Sequence, residues 1–225
     1  MEYKRGRTDG RSANDEGGTE LLHHPNSILA RKYMTINGQK IYASTLVIYT
    51  AAEVKKPAGG KSQQGSLTVH SNNKELQAEA EAIFKDPEIL LRNELSIIPK
   101  KAVWEVRIDL LVAMDQGGLI ELATQGIYAA LKALSEAPQT PKTPKTLLRP
   151  IPAPRFVPRT LTASLVENGW VYSPTEKERE EGEGNLTLTL NNHKDIVFCS
   201  FVGSAGVDTL CQEIDRVIGH LSEQE

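Results

Sequence analysis

The sequence predicts an α/β (α+β) protein built as two lobes, each a β-sheet covered by helices. Three observations predict this class. Residues 103–134 have the pattern of a long strand, a glycine turn and an amphipathic helix. Asn37-Gly38, flanked by two apolar stretches, is typical of a tight β-hairpin. A proline-rich run over residues 138–158 separates these elements from a second set of strands that also ends in a helix.

The strand, turn and helix of residues 103–134 are predicted from periodicity. Asp115-Gln116-Gly117-Gly118 supplies the residues that a sharp reversal needs. The apolar residues from Leu119 to Leu134 recur at spacings of three and four, and small residues such as Gly126 and Ala130 let the predicted helix approach a sheet closely. In the strand, every second residue is apolar, which is typical of one face laid on a core: Trp104, Val106, Ile108, Leu110, Val112 and Met114.

The rest of the first lobe, residues 27–137, follows from shorter signals. After the hairpin, the stretch TLVIYT is expected to be a buried strand, and a strand near Ser66–His70 is expected to complete a meander. Apolar spacing predicts a helix over Lys74–Phe84. Asp86-Pro87 is expected to begin a second helix, with the aspartate as N-cap and the proline in the first turn.

Two segments are expected to lie outside the lobes. Residues 1–26 open with a charged, Gly-rich stretch that lacks apolar periodicity, and they are expected to form an extended N-terminal arm. Residues 138–158 hold seven of the twelve prolines of the chain. This segment is expected to be a semi-rigid linker between the lobes or an extended strap over them.

The second lobe, residues 159–225, is predicted to repeat the sheet-then-helix order. The apolar residues from Val207 to Leu221 predict a helix that covers one sheet face. Cys199 and Cys211 are expected to be small buried hydrophobic residues rather than a disulfide pair. The acidic run Glu176–Glu183 is expected to be a solvated loop. Strands are predicted over Leu161–Val166, Trp170–Tyr172, Asn185–Asn192 and Ile196–Val202, and the last of them is expected to be buried.

Composition limits the functions that the chain can have. It has 225 residues, 39% of them hydrophobic, and a formal net charge of −3. That charge argues against a free-standing nucleic-acid binder with a dominant basic surface, although a local basic patch stays possible. No stretch approaches the roughly 20 apolar residues that span a bilayer, and the polar N-terminus is unlike a signal peptide. We therefore expect an intracellular protein without a membrane partner.

Three patterns could support chemistry, and each has a plainer interpretation. Gly59-Gly60-Lys61-Ser62 is similar to a phosphate-binding loop, but that motif needs a glycine where Lys55 stands, and a strand rather than a helix follows. A mobile loop is therefore predicted. Glu105, Arg107 and Asp109 share one strand face, where cross-strand ion pairing is favoured over acid–base chemistry. The histidines lack partners at ligand spacing, so no metal site is predicted.

Several motifs stand in an order that covers nearly the whole chain. They are Arg7-Thr8-Asp9-Gly10-Arg11, the hairpin and strand Asn37–Ala43, the strand with Trp104, Val106 and Asp109, the helical Ala129-Ala130-Leu131, the segment Val171–Glu178, and the strand opening Gly184-Asn185-Leu186-Thr187-Leu188. Together they resemble the motifs of the RNase PH-like fold of the RNA exosome ring and its phosphorolytic relatives. The opening R-x-D-G-R is similar to that of several ring subunits. The resemblance implies an RNase PH-like fold of two sheet-plus-helix lobes.

Departures from the family pattern imply catalytic inactivity. Active members carry an Asp-rich strand that coordinates a metal, whereas the corresponding strand here, Gly184–Thr189, has no carboxylate. Active members also hold phosphate with an Arg-rich helix and a Ser-Arg pair, whereas Lys74–Glu94 is acidic and has Arg92 as its only arginine. Ser204 lies where active members have another phosphate-contacting loop. The resemblance therefore implies no catalytic residue, no metal and no cofactor.

Two sets of residues are expected to matter in such a protein. The basic loop and the two family-matched positions are expected to contact RNA: Lys55, Lys56, Lys61, Arg92 and Ser204. Residues of the opening strand, turn and helix are expected to be structural: Trp104, Asp109, Gly117, Gly118 and Ala130.

The resemblance favours one function and leaves two alternatives. The favoured function is a non-catalytic structural subunit of the eukaryotic RNA exosome core ring, which supports 3′-5′ RNA processing and degradation by assembly and RNA threading in the nucleus, including the nucleolus, and the cytoplasm. Its partners would be other RNase PH-like subunits in a heteromeric ring, RNA-binding cap subunits and RNA. The alternatives are a phosphate-dependent 3′-5′ exoribonuclease, alone or with a site shared across a subunit interface, and an unrelated phosphate-binding enzyme that uses the Gly59–Ser62 loop.

Overall fold

The fold consists of two β-sheets with helices between and outside them. The computed structural model describes residues 18–25, 27–36, 39–57, 64–87, 89–137, 150–167 and 169–223. The R-x-D-G-R motif, the turn residues Asn37 and Gly38, and the Gly59–Ser62 loop lie outside these ranges. None of the helices in these ranges is both long enough and apolar enough to cross a bilayer.

The first lobe is a six-stranded sheet with two helices. Its strands lie in the order β1-β2-β3-β6-β4, and β5 pairs with β6. The elements are β1 (Gly18–His24), β2 (Ser27–Ile36), β3 (Gln39–Lys55), β4 (Ser66–Ser71), α1 (Lys74–Phe84), β5 (Ser96–Ile98), β6 (Ala102–Met114) and α2 (Leu119–Glu136). Strands β2 and β3 pair antiparallel with Ile36 opposite Gln39, so the predicted hairpin is present.

The second lobe is a four-stranded sheet in the order β10-β9-β7-β8. Helix α4 packs on β7 and β9, over a core that contains Leu161, Leu188 and Val217. The elements are β7 (Arg159–Val166), β8 (Gly169–Tyr172), α3 (Glu176–Glu181), β9 (Gly184–Leu190), β10 (Ile196–Gly203) and α4 (Val207–Glu223). Both lobes therefore have the predicted combination of a sheet with helices.

Helix α2 lies between the two sheets. Its first turns are buried without interruption from Leu119 to Thr124, because one side packs on β2 and β3 and the other on β7. Gly126 allows the close approach, since a Cβ atom there would lie 2.2 Å from Cδ1 of Ile48. The described part of the proline-rich segment packs on the first lobe, because Ile151 and Phe156 are buried in the core of that lobe.

Three expectations about the first lobe were wrong. The N-terminal arm does not extend to residue 26, because Gly18–His24 pairs with β2 as an edge strand. Strand β4 does not complete a meander, because it pairs parallel with β6 after a crossover. Among the described residues from 89 to 95, turns take the place of the helix expected after Asp86-Pro87. They bury Ile89 and Leu95 in the core, and that burial outweighs a local capping signal.

Burial also differs from expectation in several strands and loops. Residues 45–50 of β3 bury only one face, and Tyr49 on the other face is 48% exposed. Strand β10 is a partly exposed edge strand, so Cys199 is exposed; Cys211 is exposed because α4 turns it away from the sheet. The acidic run after Thr175 is a short helix rather than a loop, because Thr175 and Glu178 form a capping box.

Candidate functional site between the two lobes

A buried ion pair lies where the two lobes meet. Lys32 of β2 and Glu121 of α2 form the pair, and their side chains are 8% and 6% exposed. The Lys32 ammonium also donates to Ser173 Oγ at 2.9 Å, and that hydroxyl in turn lies 2.8 Å from Glu121 Oε2. Glu121 Oε1 accepts from the backbone N–H of Thr162 at 2.8 Å and from its hydroxyl at 2.6 Å. One carboxylate thereby joins β2, α2, β7 and the segment after β8.

The charges of this pair are stabilised by each other and by hydrogen bonds. Burial by itself raises the pKa of Glu121, but the Lys32 ammonium and the hydrogen bonds from Lys32 and Thr162 outweigh burial and lower that pKa. The carboxylate is therefore ionised at neutral pH. A buried carboxylate whose oxygens all have partners is suited to fixing the relative position of the two lobes. Because both charged groups are paired, neither is free to act as an acid or a base.

Buried hydroxyl groups extend this polar network along the second sheet. Thr160 Oγ1 lies 3.1 Å from Thr124 Oγ1 of α2 and 2.9 Å from Thr189 Oγ1 of β9. All three side chains are buried. The second sheet thus presents hydroxyl groups toward α2 and aliphatic side chains toward α4, because successive strand residues point to opposite faces.

A second inter-lobe region lies where α1 faces β9. Glu75, in the first turn of α1, forms an ion pair at 3.1 Å with Arg179 of α3. One turn later, Glu79 Oε1 lies 3.5 Å from Thr187 Oγ1 of β9. Burial, and secondarily the neighbouring Glu75 carboxylate, raises the pKa of Glu79. This α1–β9 region therefore contains two carboxylates on α1, one of them paired with Arg179, and the neutral Thr187 on β9.

The residues expected to contact RNA do not form one site. Lys55 and Lys56 lie at the end of the first sheet where β6 begins, and the carbonyl of Arg92 accepts from Gly65 near that end. Lys55 forms an ion pair with Glu105. The hydrogen bond that the Lys55 ammonium donates to this carboxylate raises the Lys55 pKa. Ser204 directly follows β10, and its N–H donates to the carbonyl of Glu183, the residue before β9, at 3.0 Å. Lys61 lies outside the described residues.

The residues expected to be structural are in the following positions. Trp104 and Ala130 are buried in the core of the first lobe. Asp109 Oδ1 accepts a hydrogen bond from Arg107 Nε at 2.9 Å, and both residues lie on β6 rather than on neighbouring strands. Gly117 and Gly118 have φ values of 107° and 68°, which a turn of this shape requires.

Sequence reasoning missed Lys32, Glu121 and Ser173. Lys32 interrupts an apolar strand and Glu121 interrupts an apolar helix stripe, but either pattern is usually a solvated face. Their partners are 89 and 141 residues away along the chain, so nothing local indicated the network. Within the described ranges, His, Cys, Asp and Glu side chains form no group of three that could hold a metal ion.

Comparisons of the sequence and of the fold with known proteins find exosome proteins. No family model matches the chain. The exosome complex component rrp43 of Schizosaccharomyces pombe is 27% identical over 133 residues, which are 54% of this chain and 49% of that protein. The chain thus aligns with about half the length of this curated relative.

The whole fold matches solved structures. An archaeal exosome core chain has a TM-score of 0.78 at 19% identity, covering 97% of this chain and 89% of the other. A chain of the Archaeoglobus fulgidus exosome with RNA bound to the active site gives 0.75 at 18% identity, covering 97% and 91%. Rice (Oryza sativa) Rrp46 gives 0.66 at 14% identity, covering 96% and 95%. The chain therefore has an RNase PH-like fold, and over about half of its length it is similar in sequence to an exosome component.

Proposed function

We propose that this chain is a non-catalytic structural subunit of an RNA exosome core ring. It supports 3′-5′ RNA processing and degradation by contributing interfaces and part of the path that RNA follows. Two findings support this proposal: the sequence similarity to an exosome complex component and the match of nearly the whole fold to exosome core chains. By the same likeness, it works in the nucleus, including the nucleolus, and in the cytoplasm.

The observation that carries the non-catalytic part is the set of charges in the α1–β9 region. Active members of the fold, by the resemblance, hold phosphate with arginines on this helix and a metal with aspartates on this strand. Here α1 presents Glu75 and Glu79, and β9 presents Thr187. Carboxylates repel a phosphodiester, and a threonine hydroxyl is a poor metal ligand. Arg179, the cation beside these carboxylates, is already paired with Glu75, so the region has no excess positive charge for the phosphate group that a phosphorolytic site must bind.

Exposed sheet edges support the assembly role. Strand β10 is the edge of the second sheet, and its Ile196 and Val202 are 48% and 70% exposed. An exposed apolar edge is an association surface unless it is covered. Other RNase PH-like subunits of a heteromeric ring would cover it, and RNA-binding cap subunits would complete the core. RNA would then pass Lys56 and Arg92, which lie near one end of the first sheet.

The experiment that tests this proposal combines assembly with activity. Native mass spectrometry of the co-purified complex should show a heteromeric ring that contains this chain. The purified chain, given end-labelled single-stranded RNA, magnesium and inorganic phosphate, should release no nucleoside diphosphate. Release of nucleoside diphosphates by the chain alone would overturn the non-catalytic assignment. A chain that is found only as a free monomer would overturn the ring assignment.

The shared-site alternative predicts a different result in the assembled ring. Lys56 is exposed and could serve a neighbour's site. If the chain is non-catalytic, Lys56→Glu should weaken RNA retention by the ring and leave any phosphorolysis by the ring unchanged. Lys177→Glu on α3 is a matched control at another exposed position. If phosphorolysis by the ring disappears in Lys56→Glu but not in Lys177→Glu, this chain contributes to a catalytic site, and the alternative holds.

A further inference from the structure

A groove of about 560 Å³ lies at the side of the molecule where both lobes and β1 meet. The exposed face of α2 forms one wall, and β1, the beginning of β7 and the end of α4 form the others. Its floor is aliphatic, with Leu21, Ala129, Val157 and Leu221 among the lining residues. The volume is typical of sites that hold a drug-sized ligand or a few side chains.

The polar groups around this groove are mostly donors without anionic partners. Lys132 lines it from α2, and no ion pair to Lys132 occurs among the described residues. Among the described residues, Arg159 donates to a neutral acceptor, the Leu221 carbonyl, which lies 3.0 Å from Nη1, and pairs with no carboxylate. Glu136 is the single carboxylate among the lining residues that the structure describes. Two cations against one carboxylate favour a ligand with negative charge.

Strand β1 gives the groove a free backbone edge. In the part of the chain that the structure describes, β1 pairs with β2 alone and ends the sheet. Leu21 and His23 are two residues apart on β1, so both point to the same face, and both line the groove. An unpaired strand edge offers N–H and C=O groups to an extended peptide, and an adjacent groove can receive its alternate side chains.

We propose that an extended segment of a partner protein adds to β1 as a further strand and places apolar and acidic side chains in this groove. Its apolar side chains contact the aliphatic floor, and its carboxylates face Lys132 and Arg159. An extended peptide fits better than RNA, because only a peptide can pair its backbone with the free edge of β1 and place aliphatic side chains against Leu21 and Val157. The inference does not depend on catalytic inactivity or on ring assembly.

Fluorescence polarisation on the full chain tests this proposal. The probe is a labelled peptide that repeats leucine-serine-glutamate-serine, so that its inward positions alternate between leucine and glutamate. Lys132→Glu and Ala133→Trp, both at exposed positions of α2 that line the groove, should each weaken binding about tenfold or more. The matched controls, Lys177→Glu on α3 and Ala113→Trp on the outer face of β6, should leave binding unchanged.

Three further probes separate the occupants. A peptide with lysine in place of glutamate, and one N-methylated at alternate amides in either register, should both bind more weakly, because the first loses the charge match and the second loses the backbone hydrogen bonds. Failure of the first peptide to bind, or equal binding to all variants and all peptides, overturns the proposal. Labelled oligouridylate that binds the chain and is lost in Lys132→Glu assigns the groove to RNA and also overturns it.

Discussion

Among single residues, Glu121 has the most demanding environment, because its charge lies in the interior between the lobes. Lys32 neutralises it, and Ser173 and Thr162 donate to it. Such a pair gains little relative to apolar residues of the same shape, but removing one partner leaves the other charge buried and unpaired. The network therefore specifies how the lobes fit together more than it adds to the free energy of unfolding.

Glu121→Gln should lower the free energy of unfolding at neutral pH by about 3–5 kcal/mol, because the Lys32 ammonium stays buried without a counter-ion. Urea unfolding followed by circular dichroism measures the change. The double variant Lys32→Met, Glu121→Leu should recover most of the loss. If the single and double variants are equally destabilised, the unpaired charge is not the cause.

The same carboxylate makes stability depend on acid. Its pKa is lower in the folded than in the unfolded chain, so its contribution is present above the unfolded value, about 4.3 for glutamate, and is lost as the pH falls through the folded value. The wild-type chain should therefore lose stability below about pH 4. The double variant should lose less over that range, and equal acid sensitivity in both proteins would contradict this account.

Glu79→Gln should raise stability at neutral pH, whereas Glu121→Gln should lower it. Burial raises the folded pKa of Glu79, so ionisation at neutral pH costs stability that is regained as the pH falls through that pKa. The variant should melt at a higher temperature than the wild-type chain at pH 7, by a few degrees at most, and the gain should vanish toward pH 4. Glu75→Gln is the matched control, because Glu75 is exposed; a larger gain there would contradict the assignment.

Among the elements, β6, the glycine turn and α2 are the ones that the sequence predicts best. The alternation that begins at Trp104 and the helical stripe of α2 both reflect burial against a single core, which local spacing reports directly. The turn between them is held by Ser44, whose hydroxyl donates to the Gly117 carbonyl at 2.8 Å and accepts from the Gln116 N–H at 3.1 Å. Sequence spacing indicated the reversal but not this anchor.

Gly117→Ala should destabilise the chain by about 3 kcal/mol or more, because a Cβ atom there combines a positive φ with a position 2.1 Å from the Pro174 carbonyl oxygen. Gly169→Ala is the matched control. Its φ is also positive, 116°, but its Cβ would meet nothing within 4 Å, so only the backbone strain of about 1–2 kcal/mol is expected. Equal losses of thermal stability in the two variants would show that the contact with Pro174 does not matter.

For the whole molecule, the shared helix α2 predicts that the two lobes unfold together. Each lobe contains one of the two tryptophans, Trp104 in the first and Trp170 in the second. In Trp104→Phe and in Trp170→Phe, the remaining tryptophan reports on one lobe. We expect its fluorescence transition in urea to coincide with the circular dichroism transition of the same variant. Separate midpoints would mean that α2 and its polar contacts do not couple the unfolding of the two lobes.

The sequence by itself determined the two-lobed α+β class, the hairpin, the strand-turn-helix unit and the resemblance to the exosome ring fold. These features depend on periodicity, turn chemistry and short motifs, all of which are local. Only the tertiary structure decided the parallel pairing of β4, the turns after Asp86-Pro87, the exposed β10 and the Lys32–Glu121 pair. Each of those depends on which distant surface a residue meets. Helix α2 shows the reason, because its apolar stripe indicates contact with the first lobe but not that Glu121 meets Lys32 and the second sheet.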